Sequence, residues 1–487
     1  MSKDVQLLEG FLKKQSGQFT IGDAASVTGL PVLETKYGLR DLMKKYTCKL
    51  NVTDQGELLY DFGESLSRRD AVPFSERLAA VGQLLWKGFT LVYKACIAVV
   101  LVVYFVVFLV LLIALIVAMM SGGNKSDKRG GGGGGAGIFR IVGEIFGGIF
   151  RWNTHHSSVY IPRDQRGYPY EHYEPRQTHL PKKKAGPHKD DPKHQRNEDK
   201  SFIASVYDFV FGPPRVPLDT LSNQRELATY LKENKGVVSV SEVQALAGWR
   251  RDEASEFLTE SLALFDGEPE ISENGTLVAR FDSLIKSGGE VDHQIQEPVV
   301  YFWNEYVPEW ELTGNHASRN LMIMGMNVFN LIFASFVMGG GVSAVLPQLG
   351  LGAMTFLGIF PFAFSLLFFL IPAVRWVYVK KKQKEQHIEN IRRRLLHVIF
   401  RKHSQEIKLS ELTDTANRWR TTEEQLSSKI VDQVVNDFID DFKGEASASE
   451  SGEVVYKFYR LNSELLDLEE VRQLQIGDKD PGRLLEF

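Results

Sequence analysis

Two sets of side chains in this sequence carry charge at helical spacing, and their signs are opposite. Lys36, Arg40 and Lys44 recur every four residues with Lys45 beside them, so on a helix they share one face. Such a face could meet phosphate oxygens, although Glu34 and Asp41 dilute it. Asp252, Glu253, Glu256 and Glu260 form the reverse arrangement and would repel phosphate. A later stretch holds Glu423, Glu424, Asp432, Asp437, Asp440 and Asp441. Acidic faces of this kind suit a protein partner, with Asp252, Glu256 and Glu260 as the candidate docking set. Six of the 11 histidines fall between residues 155 and 194, and His155 and His156 are the candidate metal ligands among them. Their spacings match no defined ligand set, and a solvated basic linker accounts for them equally well.

Catalysis finds no footing in the sequence. No Gly-rich phosphate loop follows a strand, and neither a nucleophile elbow nor a His-Glu-x-x-His pair occurs. The glycine tract at 130–135 lacks a Lys-Ser/Thr partner. Cys48 and Cys96 are the 2 cysteines, too few for a disulfide framework or a cysteine metal site. No enzyme activity and no cofactor are therefore expected.

The elements that position these charges occur three times. The first copy, Asp4 to Phe62, has an amphipathic stretch, then Phe19-Thr20-Ile21-Gly22-Asp23, a second helical stretch, and an alternating run turned at Gly56. The second, Leu221 to Phe281, repeats the order through Val238-Ser239-Val240-Ser241-Glu242 and turns at Asn274-Gly275, a strong hairpin signal. The third, Ile388 to Tyr459, has Ile407-Lys408-Leu409-Ser410-Glu411 and turns at Gly452. A helix, a short strand, two helices and a hairpin make up the winged-helix plan. The expected fold class is α+β, with three winged-helix-like domains on a polytopic helical membrane region.

Apolar runs separate the copies. Ile97 to Met120 carries no charge and is long enough to span, since about 20 residues suffice. Trp86 is placed to anchor its entry. Leu321 to Val374 is again uncharged, with a turn near Pro347 and Pro361 and Pro372 expected to kink or end its last helix. Trp376, Lys380, Lys381 and Lys382 anchor the exit. The expected layout is domain 1 at 1–66, spans at 86–120, 319–345 and 353–379, domain 2 at 201–297, domain 3 at 385–462 and a tail at 463–487. A linker at 121–200 begins Gly-rich and becomes basic, with an interfacial helix at 138–152. Its charge contrasts with its neighbour's. Residues 121–200 hold 15 Lys and Arg against 9 Asp and Glu, whereas 216–297 hold 7 against 16.

Trp86-Lys87-Gly88-Phe89-Thr90, Phe150-Arg151-Trp152 and the run from Ser205 to Gly212 resemble a largely uncharacterised membrane-protein family of bacteria, including cyanobacteria, and plant plastids. The resemblance implies the same architecture. Its plant branch is sometimes labelled iron–sulfur cluster biosynthesis, for which Cys48 and Cys96 offer no cluster site. The resulting expectation is a membrane-anchored scaffold or adaptor, with the lipid bilayer and unidentified proteins as partners. A membrane-tethered DNA-binding regulator is the runner-up, and a metal or iron–sulfur assembly factor the third reading. The net charge of -4 gives no general affinity for nucleic acid. Small residues in the 321–345 helix would serve a homo-oligomer as well as packing within the chain. The expected location is a bacterial inner membrane; the lysines after Trp376 put that end in the cytosol by the positive-inside rule, with domains 2 and 3 cytosolic and the side of domain 1 left open.

Overall fold

The computed structural model describes residues 3–15, 17–63, 66–69, 74–121, 200–213, 219–287, 296–305, 310–341, 351–417, 425–450 and 452–474. The expected interfacial helix at 138–152, the histidines of the linker and the end of the chain beyond 474 lie outside them. Two compact units divide the chain. One gathers Met1–Val72, Pro217–Val307 and Glu385–Phe487, and the other Pro73–Val216 and Pro308–Lys384.

The first unit holds all three sequence repeats. Repeat one comprises α1 (Lys3–Leu12), α2 (Ile21–Thr28), α3 (Val32–Lys45) and the antiparallel pair β1 (Lys49–Val52) and β2 (Leu58–Asp61). An isolated bridge from Phe19 to Tyr60 adds a third edge to that pair. Repeat two runs α6 (Ser222–Glu233), β3 (Val237–Ser239), α7 (Val240–Ala247), α8 (Arg251–Leu264), β4 (Glu268–Ile271), β5 (Leu277–Arg280) and the short α9 (Asp282–Ile285). Its sheet order is β3-β5-β4. Repeat three repeats that order as β6-β8-β7, from Ile407–Lys408, Val454–Phe458 and Gly444–Ala448. Its helices are α12 (Leu409–Asn417), α13 (Ser428–Phe442) and α14 (Tyr459–Leu474). Gly56, Gly275 and Gly452 sit at the hairpin tips at positive φ, as the turn signals predict.

Local chemistry starts the second helix in the same way in repeats one and two. Thr20 and Asp23 form a reciprocal capping box at α2, each side chain meeting the other's backbone N–H at 3.0 Å. Ser239 accepts from the Glu242 N–H at α7. Lys408 stands in that place in repeat three. Each repeat then closes its own apolar core: Leu8, Phe19, Leu39 and Tyr60 in the first, Leu231, Leu258, Phe265 and Phe281 in the second. Repeat three is built on Leu395, Val435, Phe438, Phe442 and Tyr456.

The second unit is helical. Among the described residues three helices are long and apolar enough to cross a membrane, over Gly88–Val117, Ala317–Met338 and Thr355–Arg401. The first lies within α4 (Phe74–Ser121), and the second is α10. The third joins a π-turn at Thr355–Ile359 to α11 (Phe360–Arg401). Two boundaries correct the sequence expectation. Gly339, Gly340 and Gly341 end α10 at Met338, seven residues short of 345. Pro372 does not end the last helix, which passes through it and continues to Arg401. Pro361 directly follows the π-turn, inside the continuous helical run Thr355–Arg401, where a π-turn accommodates the interruption of the hydrogen-bond ladder. The same helix then supplies Ile391, Leu395 and Ile399 to the core of repeat three.

The strip before repeat two folds as α5 (Phe202–Phe211) and packs inside this helical unit. Val206, Phe209 and Val210 meet Ala98, Leu101 and Phe105 of α4, Ile323 and Met326 of α10, and Phe368 of α11. Two fully buried asparagines tie α10 to its neighbours. Asn330 donates to the Leu101 carbonyl and Asn327 to the Ser365 carbonyl, both at 3.0 Å.

Candidate functional site

The repeats are joined by polar seams. In the first, Asp23 of α2 is fully buried and its Oδ1 takes an ion pair from Lys232 of α6 at 2.8 Å. Thr20 donates to the Lys286 carbonyl at 2.9 Å, and Lys286 pairs with Glu57 at 2.7 Å. Ala25 belongs to the core of repeat two, and Leu221 packs on that of repeat one. Gly22 lets the backbones touch, because a Cβ there would lie 2.2 Å from the Ser283 carbonyl oxygen.

The second seam uses the equivalent surface of repeat two. Glu242 holds the place of Asp23 and pairs with Arg472 of α14 through two contacts, 2.9 and 2.8 Å long. Arg472 also donates to the Val237 carbonyl at 2.7 Å. Arg251 pairs with Glu464 at 2.6 Å, and the Ser241 hydroxyl donates to the same carboxylate. Asp467 accepts from Ser272 at 3.1 Å, Asn274 at 2.8 Å and Thr276, all in the hairpin of repeat two. Burial raises the pKa of Asp467, but the hydrogen bonds from Thr276, Asn274 and Ser272 outweigh it and leave the pKa below the usual carboxylate value.

In repeat three the matching acid is Glu411, half-buried, and it pairs inside its own repeat with Lys402 at 2.5 Å. Every residue of α2 from Gly22 onward is buried, and every residue of α7 up to Leu246, whereas α12 buries Leu412 and Ala416 alone. The stack therefore ends there on a polar face, as terminal repeats in stacked proteins do. Nothing in the sequence marked Lys232, Glu464, Asp467 or Arg472. Their one signal was the repeated Asp or Glu three residues after the second helix's cap. The first part of the expected tail at 463–487 is the end of α14, whose Glu464, Asp467 and Arg472 face repeat two.

The predicted surface residues lie away from these seams. Lys36, Arg40 and Lys44 are exposed on one face of α3, with Lys45 half-buried at its end. Arg40 lies over the Tyr37 ring at 5.5 Å, and Lys44 pairs with Asp41 at 2.8 Å. Asp252, Glu256 and Glu260 are exposed on α8. The later acids divide. Asp440 is exposed, Asp432 accepts from the Tyr456 hydroxyl, Asp437 pairs with Arg250, and Asp441 accepts from the Arg251 N–H. Burial raises the pKa of Asp441, which the Arg251 N–H opposes. Glu423, Glu424, His155 and His156 lie outside the described residues. Trp86, Trp376, Lys380 and Lys381 are exposed, and Lys382 is half-buried. Among the described residues no group of three His, Cys, Asp or Glu is arranged to hold a metal ion.

With the repeats, seams and apolar helices in place, comparison with known proteins gives one likeness to report. An uncharacterised chloroplastic protein of Arabidopsis thaliana is 27% identical over 210 residues, 39% of this chain and 38% of the plant protein. The chain is thus similar to a plastid protein over part of both. It spans well under half the length of that curated relative. No protein-family profile matches the chain, and no solved structure matches it. The likeness corrects the expected compartment, because the relative is chloroplastic and not a protein of the bacterial inner membrane. The physical reason is simple. Flanking lysines report which end of a span stays on the side of synthesis, not which membrane holds it.

Proposed function

We propose that this chain is a membrane-anchored scaffold or adaptor of a plastid membrane, built from three winged-helix-like repeats that act as one body. The strand order β3-β5-β4, repeated as β6-β8-β7, supports the winged-helix reading. One observation carries the scaffold reading. The repeats spend their buried charges on one another, through Asp23–Lys232, Glu242–Arg472 and Arg251–Glu464, while the acids on the outer face of α8 stay exposed. A body locked inside and charged outside is suited to holding a partner in a fixed place. Exposed acids give such a partner an on-rate and a register more than raw affinity.

The partner of this reading is a protein with a basic docking surface, met through Asp252, Glu256 and Glu260. Charge reversal of those three positions tests it. The full chain and the Asp252→Lys, Glu256→Lys, Glu260→Lys variant would each carry a proximity-labelling tag in the native membrane. The expected result is loss of a defined subset of labelled neighbours with unchanged thermal unfolding. An identical set of neighbours would refute the assignment of α8 as the docking face.

A further inference from the structure

We propose that the α3 face of the first repeat binds the anionic headgroup layer of the membrane that anchors the chain. The face combines two kinds of exposed group. Lys36, Arg40 and Lys44 supply positive charge, and Leu33 and Tyr37 stand between them 59% and 52% exposed. Leu33, Lys36, Tyr37, Arg40 and Lys44 follow the spacing of one helical face. On β1, Lys49 and the 44%-exposed Leu50 are also open to solvent.

More cations gather at the end of this helix. Tyr46 bridges to Arg68, whose guanidinium lies 5.9 Å from the Tyr46 ring, and the Arg69 N–H donates to the Lys45 carbonyl at 2.9 Å. The acids facing the patch are few. Glu34 is exposed, Asp41 pairs with Lys44, Glu9 pairs with Lys13, and Asp61 accepts from the Gly63 N–H. The patch is net positive with apolar side chains among the charges.

That mixture selects among anionic partners. A duplex groove rewards Lys and Arg with amides but leaves an exposed leucine and tyrosine without a counterpart. A bilayer surface takes both, because the apolar groups enter the headgroup layer while long cationic side chains reach phosphate. Covalent distance points the same way. About twenty residues separate Arg69 from Gly88, where the first apolar span begins, so the bilayer is present at high effective concentration.

The test uses the full chain in nanodiscs, with Cys48 and Cys96 changed to Ser and a bimane label on Glu34→Cys. One set of discs is phosphatidylcholine alone, and the other contains about one third phosphatidylglycerol, to supply anionic headgroups. Both carry a headgroup nitroxide quencher. The expected result is several-fold stronger quenching in the anionic discs, lost in the Lys36→Glu, Arg40→Glu, Lys44→Glu variant. A label on Glu260→Cys should show no difference between the two lipids. Should the charge variant unfold, a salt titration of the unreversed chain decides instead. At about 1 M salt the Debye length is about 3 Å, and the extra quenching should vanish. Equal quenching in both lipids would overturn the proposal, as would quenching that survives salt. So would a label that ignores phosphatidylglycerol but responds to added duplex DNA, which would make α3 a nucleic-acid surface. None of these outcomes bears on what docks at α8.

Discussion

At the scale of single residues, the seams rest on buried charges whose value depends on their partners. Asp23 has no exposed surface, and its carboxylate is divided between the α2 cap and Lys232. Removing one member of a buried pair costs about 3–5 kcal/mol, because the other charge is left behind. Lys232→Ala should therefore speed amide exchange across α2 by about a hundredfold or more, at about 1.4 kcal/mol per factor of ten. Adding Asp23→Asn should recover most of that protection; a double variant as exposed as the single one would contradict this account. Asp467 makes the second seam sensitive to acid. Its pKa is lowered in the folded protein, since the three hydrogen bonds outweigh the effect of burial. A carboxylate of that kind stabilises fully above its unfolded pKa, about 3.9, and the contribution is lost as pH falls through the lower folded value. Exchange in the β4–β5 hairpin should rise below about pH 4, and Asp467→Asn should flatten that dependence.

At the scale of elements, what the sequence disclosed follows from which patterns are local. Asn274-Gly275 announced its hairpin because the two residues favour that turn by themselves. The apolar run Ile97–Met120 announced a span because no other use fits its length and composition. The α14 helix gave no such signal. Glu464, Asp467 and Arg472 look solvent-facing in sequence, yet they are satisfied by a repeat nearly two hundred positions or more away. The extent of α11 was hidden for a related reason, since a proline inside a helix is tolerated where neighbouring helices hold it. The α3 and α8 faces were legible from spacing, but not the exposed Leu33 and Tyr37 among the α3 cations. Glycines give an element-scale prediction with its own control. Gly22→Ala would drive a Cβ against the Ser283 carbonyl oxygen, a backbone atom, and should cost about 1–3 kcal/mol by forcing the first seam apart. Gly10 of α1 has nothing within 4 Å of its Cβ position, so Gly10→Ala should stabilise by about 0.5–1 kcal/mol. Thermal unfolding of the two variants side by side checks both signs.

At the scale of the whole molecule, the seams decide how the chain threads its membrane. Counting three apolar helices puts repeat one opposite repeats two and three. That arrangement would separate Asp23 from Lys232 and Glu57 from Lys286, although both pairs lie within one compact unit. From Lys94 to Ser121, α4 rises about 40 Å at about 1.5 Å per residue, close to a bilayer with its headgroups. Tyr207 of α5 nonetheless lies under Lys94, at 5.1 Å, and Val206 and Phe209 pack on Ala98 and Leu101. α5 therefore packs on the half of α4 that begins at Lys94. Repeats one and two, paired through Asp23–Lys232 and Glu57–Lys286, must then share one side of the membrane, and α10 with α11 adds two passages before repeat three. Single cysteines at Thr47, Glu260 and Lys443, all exposed and one in each repeat, should accordingly respond alike to an impermeant maleimide in sealed membranes. Cys48 and Cys96 would be changed to Ser in each case. Reaction at Thr47→Cys on the face opposite to Glu260→Cys would break the one-body account. It would require the two repeats to part at the Asp23–Lys232 seam in the membrane.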